Sequence, residues 1–345
     1  MPTTPAVPDG KRPTLAHVAA RAGVSVALVS IVMRGAYGAS ATTRERVLKA
    51  AEEIGYRPDT RARVLRSNRS RLLGVQFGLR HPFHTDLVER IYAAAEPVGY
   101  QVALSAVAPS RGERQAVEAL LADRCEALVL LGPEVPAARL AQLATQVPVV
   151  SVARRLRPAP PAVDVVRTAD DEGARQAVDH LVALGHRTIA HIDGGKAPGA
   201  ADRRRGYRTA MHRHGLDDQV HVLPGGPTEE DGARGARTLL GEPPTARPSA
   251  VLAFNDRCAT GVLDTLLRAG VSVPGEISVV GFDDTSLARL AHIDLTTVAQ
   301  DVPRLAELAV GRAIARLDGE AVAEGESVVP PHLVVRGTTA PPAAG

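Results

Sequence analysis

One stretch near the start of the chain constrains its fold most. TLAHVAARAGVSVALVSIVM, followed by TTRERVLKAAEEIGYRP, repeats apolar residues at helical spacing in three short segments separated by turn residues. Thr14 is placed to cap a first helix whose Leu15, Val18, Ala19 and Ala22 share one face. Gly23 suits the positive-φ turn that follows, and Ala19 is small enough to let two helices cross closely. Ser25 opens the second helix; its side-chain oxygen can accept a backbone N–H, and the free amides of that terminus suit a phosphate. Val29 and Val32 point inward, which leaves Val26, Ala27, Ser30, Ile31 and Arg34 facing out. A third helix, from near Ser40 to Ile54 and stopped by Gly55, is expected to supply Val47, Leu48 and Ala51 to a three-helix core. The order matches a helix-turn-helix unit, whose outward face reads a DNA major groove. An ordinary small helical bundle is the other reading of the pattern.

Charge divides along the chain in the same sense. Residues 1–72 hold 13 Lys+Arg against 5 Asp+Glu, a net +8 in a chain whose total is +3, so the remainder stands at −5. A basic head on a mildly acidic body is the footprint of one small domain meeting phosphates, although solvated surface arginines give a similar count. The first residues, MPTTPAVPDGKRP, are proline-rich without an apolar core and are read as a disordered arm over 1–12, neither secretion signal nor membrane anchor. No later run is long and apolar enough to span a bilayer, and Cys125 and Cys258 form no ligand-spaced cluster, so a cytoplasmic, nucleoid-associated protein without metal or cofactor is expected.

From Leu72 the pattern changes to short β-rich runs alternating with helical segments. LLGVQFGL, YQVALSAV, EALVLLG and VPVVSVA read as buried strands between helices around 84–98, 111–123 and 136–145. TIAHIDG, SAVLAFN and ISVVGFDD continue the series, with helices at 171–184, 202–214 and 256–269. Continuous apolar strands between helices indicate parallel sheets covered on both faces, and two such α/β units imply two lobes and a cleft at the carboxyl ends of the strands.

These segments together resemble the LacI/GalR family of bacterial transcription regulators over nearly the whole chain. The headpiece likeness spans 13–57 and runs on through Tyr56-Arg57-Pro58 into DTRARVL; the rest is carried by DDEGARQAVDHLVALGHRTIAHIDG, the RRRGY turn at Arg203–Tyr207, AFNDRCATGVL and VVGFDD. The resemblance implies an all-α helix-turn-helix headpiece joined to a two-lobed, periplasmic-binding-protein-like α/β effector domain at 71–345, with two crossovers between lobes. The N-lobe would hold about 72–166 and 296–326, including a helix near 301–318, and the C-lobe about 167–295 and 327–340. It further implies a hinge helix within 58–70 in which Arg61 and Ala62 meet DNA and a partner hinge, and Leu65 wedges into the minor groove; an exposed linker is the alternative. Thr14, Ser25, Val26, Ala27, Ser30, Ile31 and Arg34 complete the expected DNA-contacting set. Ile31 and Arg34 depart from the arginine and asparagine common at those places in the family. Ile31 offers only apolar contact, for instance to a thymine methyl, so the operator sequence is left open.

For the cleft, Arg203 begins an RxxGY pattern that the family uses for ligand, and a guanidinium can fork onto hydroxyls or a carboxylate. Asn255 and Asp283 each follow an apolar strand, where an amide or carboxylate suits sugar hydroxyls or simply caps the next helix. Phe83 is either a platform for a sugar ring or core, and Glu172 and His81 are weaker candidates at the same mouth. With no Trp and only 3% aromatic residues, a small polar, sugar-like effector held mainly by polar groups is expected. Enzyme motifs are missing: there is no GxGxxG, GxSxG or HExxH, and GGK at 194–196 lacks the rest of a phosphate loop. The combined expectation is a regulator, most simply a repressor, acting as a homodimer on double-stranded, pseudo-palindromic operator DNA, with no membrane partner.

Overall fold

The computed structural model describes residues 13–33, 35–56, 69–320, 322 and 326–343. Contacts divide the chain into two units, Met1–Ser70 and Arg71–Gly345.

The first unit contains α1 (Leu15–Ala22), α2 (Val26–Met33) and α3 (Ala41–Glu53). Gly23 closes α1 at φ +64°, a conformation that favours a residue without Cβ, and its N–H returns to the Ala19 carbonyl. Ser25 caps α2 by accepting the Leu28 N–H at 3.2 Å, and Ser40 caps α3 by accepting the Thr43 N–H at 3.2 Å. Val18, Ala19, Ala22, Val29, Val32, Val47, Ala50 and Ala51 form the core. Leu48, expected inside, is 49% exposed, and Ala50 takes its place. Positions 47, 50 and 51 share a helix face, whereas 48 lies more than a quarter-turn from the centre of that face.

The second unit has two six-stranded sheets. In the N-lobe, β1 (Leu72–Gly78), β2 (Gln101–Val107), β3 (Ala127–Leu131), β4 (Val149–Val152) and β5 (Val163–Thr168) are joined through α4 (Pro82–Ala95), α5 (Glu113–Ala122) and α6 (Ala137–Ala144). The C-lobe follows with α7 (Asp170–Ala183), β6 (Ile189–Ile192), α8 (Ala200–Arg213), β7 (His221–Leu223), α9 (Glu229–Leu240), β8 (Ala250–Ala253), α10 (Asp256–Arg268), β9 (Ser278–Asp283) and β10 (Thr296–Ala299). The chain then returns as α11 (Val302–Leu317) and β11 (Glu326–Val329) before ending in β12 (His332–Val334). Strand orders are β11-β5-β4-β3-β1-β2 and β12-β10-β9-β8-β6-β7. All pairings are parallel except β10 with β12. Each sheet is apolar on both faces: α4 and α11 cover one side of the N-lobe sheet and α5 and α6 the other, while α9 and α10 face α7 and α8 across the C-lobe sheet.

Three crossings join the lobes, not two: β5 to α7, β10 to α11, and β11 to β12. They also fall later than the expected boundaries. β5 runs on to Thr168, Thr296–Ala299 pairs with β9 in the C-lobe, and Glu326–Val329 pairs with β5 in the N-lobe. The boundary is set by the last hydrogen-bonded strand pair, which short strands such as TTVA and ESVV do not advertise in their periodicity. The RRRGY stretch is not a turn but the middle of α8, where Gly206 sits against α7: a Cβ there would lie 2.1 Å from the Asp171 carbonyl oxygen. Helix α9, which the sequence reading did not pick out, has the same cause. Its Gly232 is pressed against the Cys258 carbonyl of α10, so residues that weaken helical propensity are what the packing requires.

Candidate functional site

In the first unit the outward face of α2 carries an exposed Ala27, a Val26 that is 47% exposed, and half-buried Ser30 and Ile31. Ser25 lies exposed at its N-terminus, and Thr14 heads α1 with its N–H donated to His17 Nδ1 at 3.1 Å. The α2 C-terminus is held by Arg44 of α3, whose guanidinium donates to the Val32 and Ala36 carbonyls at 3.5 and 2.9 Å. Sequence periodicity did not single out Arg44, because its role is to bind backbone. Arg34, Arg61, Ala62 and Leu65 lie outside the described residues.

In the second unit a cavity of about 190 Å³ lies between the carboxyl ends of the two sheets. Its C-lobe wall is built around Arg203. This guanidinium is 6% exposed and donates from Nε to Asp170 Oδ1 at 2.9 Å, from Nη1 to the Phe254 carbonyl at 2.7 Å and from Nη2 to Asp283 Oδ1 at 3.2 Å. Its carbon also lies 3.6 and 4.7 Å from the Phe282 and Phe254 ring centroids. Asp283 ends β9 at φ +109°, a backbone conformation that costs a non-glycine residue energy and is retained where surrounding contacts over-determine it. The same Oδ1 also accepts from Gln300 Nε2 at 2.7 Å, and Gln300 Oε1 accepts from the Thr168 hydroxyl, so two of the three crossings meet at this carboxylate. Asn255 caps α10, accepting the Cys258 N–H at 2.9 Å, and its amide donates to the Pro227 carbonyl at 3.2 Å.

Burial pushes Asp170 and Asp283 up from the ordinary carboxylate range while Arg203 opposes the rise. Behind them Asp256, wholly buried, is raised to about 7 by desolvation and by the nearby Asp283 charge, against donors from Thr297 and Thr285. A fixed lattice of buried acids around one guanidinium leaves unshared N–H groups and carboxylate oxygens for a polyhydroxylated molecule.

The N-lobe wall differs. Phe83, 3% exposed, faces the cavity from the first turn of α4. His81 and His84 stack at 4.2 Å between ring centroids. His84 Nδ1 accepts the Gly78 N–H at 2.9 Å, which in a neutral ring leaves Nε2 as a donor. His81 Nδ1 is buried without a partner among the described residues. Desolvation, then Arg257 and Arg203, lower His81 to about 4, and burial takes His84 well below its usual value. Both rings are therefore uncharged near neutrality.

The cavity thus collects Phe83, Arg203, Asn255 and Asp283 from the sequence reading, together with His81. Glu172 is not among them. Its side chain is 46% exposed and pairs with Arg175 at 3.0 Å, because two residues along a helix is more than half a turn, so Asp170 faces the cavity and Glu172 faces away. Asp170, His84 and Gln300 were not anticipated. Asp170 is masked by its neighbours in the acidic run DDE, and Gln300 only acquires its role where a crossing brings it under β9. No cluster of three metal-ligating side chains occurs among the described residues, and no single helix among them is long and apolar enough to cross a membrane.

Comparison with known proteins places this geometry. Residues 14–59 match the model for bacterial regulatory proteins of the lacI family, and residues 178–339 match a periplasmic binding protein-like domain. The HTH-type transcriptional regulator GalR of Escherichia coli is 33% identical over 333 residues, covering 95% of this chain and 96% of GalR. A LacI transcriptional regulator from a Rhodococcus species shares 54% identity over 79% of this chain and all of that one, with a TM-score of 0.76. The lac repressor, solved as a dimer bound to operator and the anti-inducer ONPF, superposes with a TM-score of 0.81 at 31% identity, covering 96% of this chain and 100% of that one.

Proposed function

The chain belongs to the LacI family of bacterial regulatory proteins and is a DNA-binding transcriptional regulator, not an enzyme; from that premise we propose that it is a cytoplasmic repressor that binds a pseudo-palindromic operator as a homodimer and releases or engages it in response to a small polar effector, a sugar or related metabolite, in the cleft. The observation that carries the effector reading is Arg203, buried between Asp170 and Asp283 at the cavity wall with N–H groups left over. The dimer reading is supported by the size of the headpiece, which covers a half-site; residues 58–70, with Arg61, Ala62 and Leu65, are proposed to act in pairs to open the minor groove between half-sites. Thr14, Ser25, Val26, Ala27, Ser30, Ile31 and Arg34 form the half-site surface, with base reading through apolar contacts to thymine methyls. Effector binding shifts the balance between lobe arrangements joined by the three crossings, and with it the spacing of the two hinges.

Selecting bound duplexes from a random DNA pool with the purified protein tests the core of this reading: an enriched palindrome with a deformable central step supports it, and salt-sensitive binding without enrichment opposes it. Leu65→Ala should then keep non-specific affinity and lose operator preference; unchanged specificity in competition removes the wedge.

A further inference from the structure

Two arginines bridge the lobes without lining the cavity. Arg257, in the first turn of α10, is gripped on its own lobe by Glu229 at the head of α9: Nε donates to Glu229 Oε1 at 2.7 Å and Nη2 to Oε2 at 2.5 Å. Its remaining arm reaches the other lobe, Nη1 donating at 2.6 Å to the carbonyl of Arg80 in the loop between β1 and α4. A second bridge runs the opposite way. Arg155, which follows β4 in the N-lobe, donates from Nη1 to Asp202 Oδ1 of α8 at 3.2 Å, and Asp202 is held within α8 by Arg205 at 2.6 Å. Arg80 precedes His81 in the chain and Asp202 precedes Arg203, so each bridge grips the backbone beside a residue of the cavity wall.

We propose that Arg257 and Arg155 set the closure of the cleft, holding the lobes together before any effector arrives, and so act as positioning residues that raise effector affinity without touching the effector. The consequence for affinity rests on the cleft being the effector site; the closure itself does not. The Arg257–Glu229 pair is already complete as a bidentate contact within the C-lobe, and its planar fork leaves the third donor fixed in direction, so reaching Arg80 orders no further side chain. Asp202 is likewise anchored before it accepts from Arg155. Both arginines are partly exposed, so each bridge is individually weak, yet a lobe equilibrium responds to small differences. A ligand that needs both walls binds only the closed fraction, and its apparent dissociation constant is the intrinsic one divided by that fraction.

Pulsed dipolar spectroscopy on the ligand-free, full-length protein reads the closure directly. The native Cys125 and Cys258 are buried, so spin labels go on Glu118→Cys of α5 and Arg237→Cys of α9, both exposed and on different lobes, with labelled protomers diluted among unlabelled ones. The parent should show one distance. Combining Arg257→Gln with Arg155→Gln should lower the closed-to-open ratio by about tenfold, seen as a second, longer distance, while urea unfolding stays cooperative. Glu229→Gln, which frees the anchor of Arg257, should move the distances the same way and replaces Arg257→Gln if that variant does not fold. An unchanged distribution in the double variant overturns the proposal, as does a parent already divided between two distances. Calorimetry with free aldohexoses and aldopentoses adds the second arm: a sugar bound by the parent should bind the double variant several-fold more weakly, and equal affinity removes the positioning role. Closure that shifts while no sugar binds either protein leaves the bridges standing and counts against the sugar reading alone.

Discussion

The two walls of the cleft are built on opposite plans. On the C-lobe side nearly every polar group is already committed: Arg203 to Asp170, Phe254 and Asp283, Asn255 to the α10 cap, and Asp256 to Thr285 and Thr297. On the N-lobe side the buried His81 Nδ1 has no protein partner among the described residues. The helix pairs behind the C-lobe wall are also seated backbone to backbone, with a Cβ on Gly206 or Gly261 falling 2.1 or 1.8 Å from a carbonyl oxygen of the facing helix. One half of the site is thus pre-organised, with Arg203 N–H groups to spare, and the other retains a buried unpartnered nitrogen at His81. Ligand binding is expected to cost the first half little entropy and to complete the hydrogen bonding of the second.

By that contrast, damage to the C-lobe wall should show first as lost stability. Arg203→Ala leaves two buried carboxylates facing each other and should cost about 3–5 kcal/mol in denaturant unfolding, along with any effector response. A loss under about 1 kcal/mol would mean the wall is not the rigid lattice described. Gly206→Ala, which drives a methyl into α7, should cost about 3 kcal/mol without touching the cavity.

Acid sharpens the comparison through His191, fully buried in β6 with Nδ1 on the Leu252 carbonyl and lowered by desolvation to about 4. Asp193, Arg203 and Arg204 also face it, the first raising its pKa and the arginines lowering it. Unfolded, it takes up a proton near pH 6.5, so its contribution is complete above that value and falls as pH drops toward about 4. His191→Gln should therefore reduce the loss of stability between those pH values by about 3 kcal/mol relative to the parent, measured by urea unfolding at a series of pH values. Asp256 works in the opposite sense, its raised carboxyl favouring the folded state at low pH and losing that effect as pH rises toward about 7, so only the difference between variant and parent reports on His191. The smallest change is expected on the other wall: His81→Asn should alter stability by under about 1 kcal/mol yet weaken binding of the proposed effector, separating a ligand-facing group from a structural one.

The same division explains what the sequence made legible. Headpiece helices and caps follow from local rules, and Thr14, Ser25, Gly23, Ser40 and Gly55 each sit where those rules put them. Leu48 went astray because it lies one turn from Ala51 in sequence spacing yet falls at the edge of the face centred on Val47, Ala50 and Ala51. In the larger unit the long apolar strands were readable, whereas TTVA, ESVV and HLV are too short to show a period and are strands only through their partners. Arg203, Asn255 and Asp283 were found from strand ends and a motif. Asp170 and Gln300 escaped because their meaning lies in what the crossings bring near them.

The three crossings also dictate an order of events on the ribosome. Leu73, Val75, Ile91 and Val129 close their core only against Leu305, Ala309, Val310 and Val329, so the lobe begun first cannot be closed until nearly all of the other has been made. While the C-lobe emerges, the nascent N-lobe sheet presents an uncovered apolar face and an unpaired β5 edge. Truncations near residue 300 should therefore spoil the beginning of the protein as well as the β12 edge of the C-lobe, and chaperone dependence during synthesis is a cost that this interleaved topology carries.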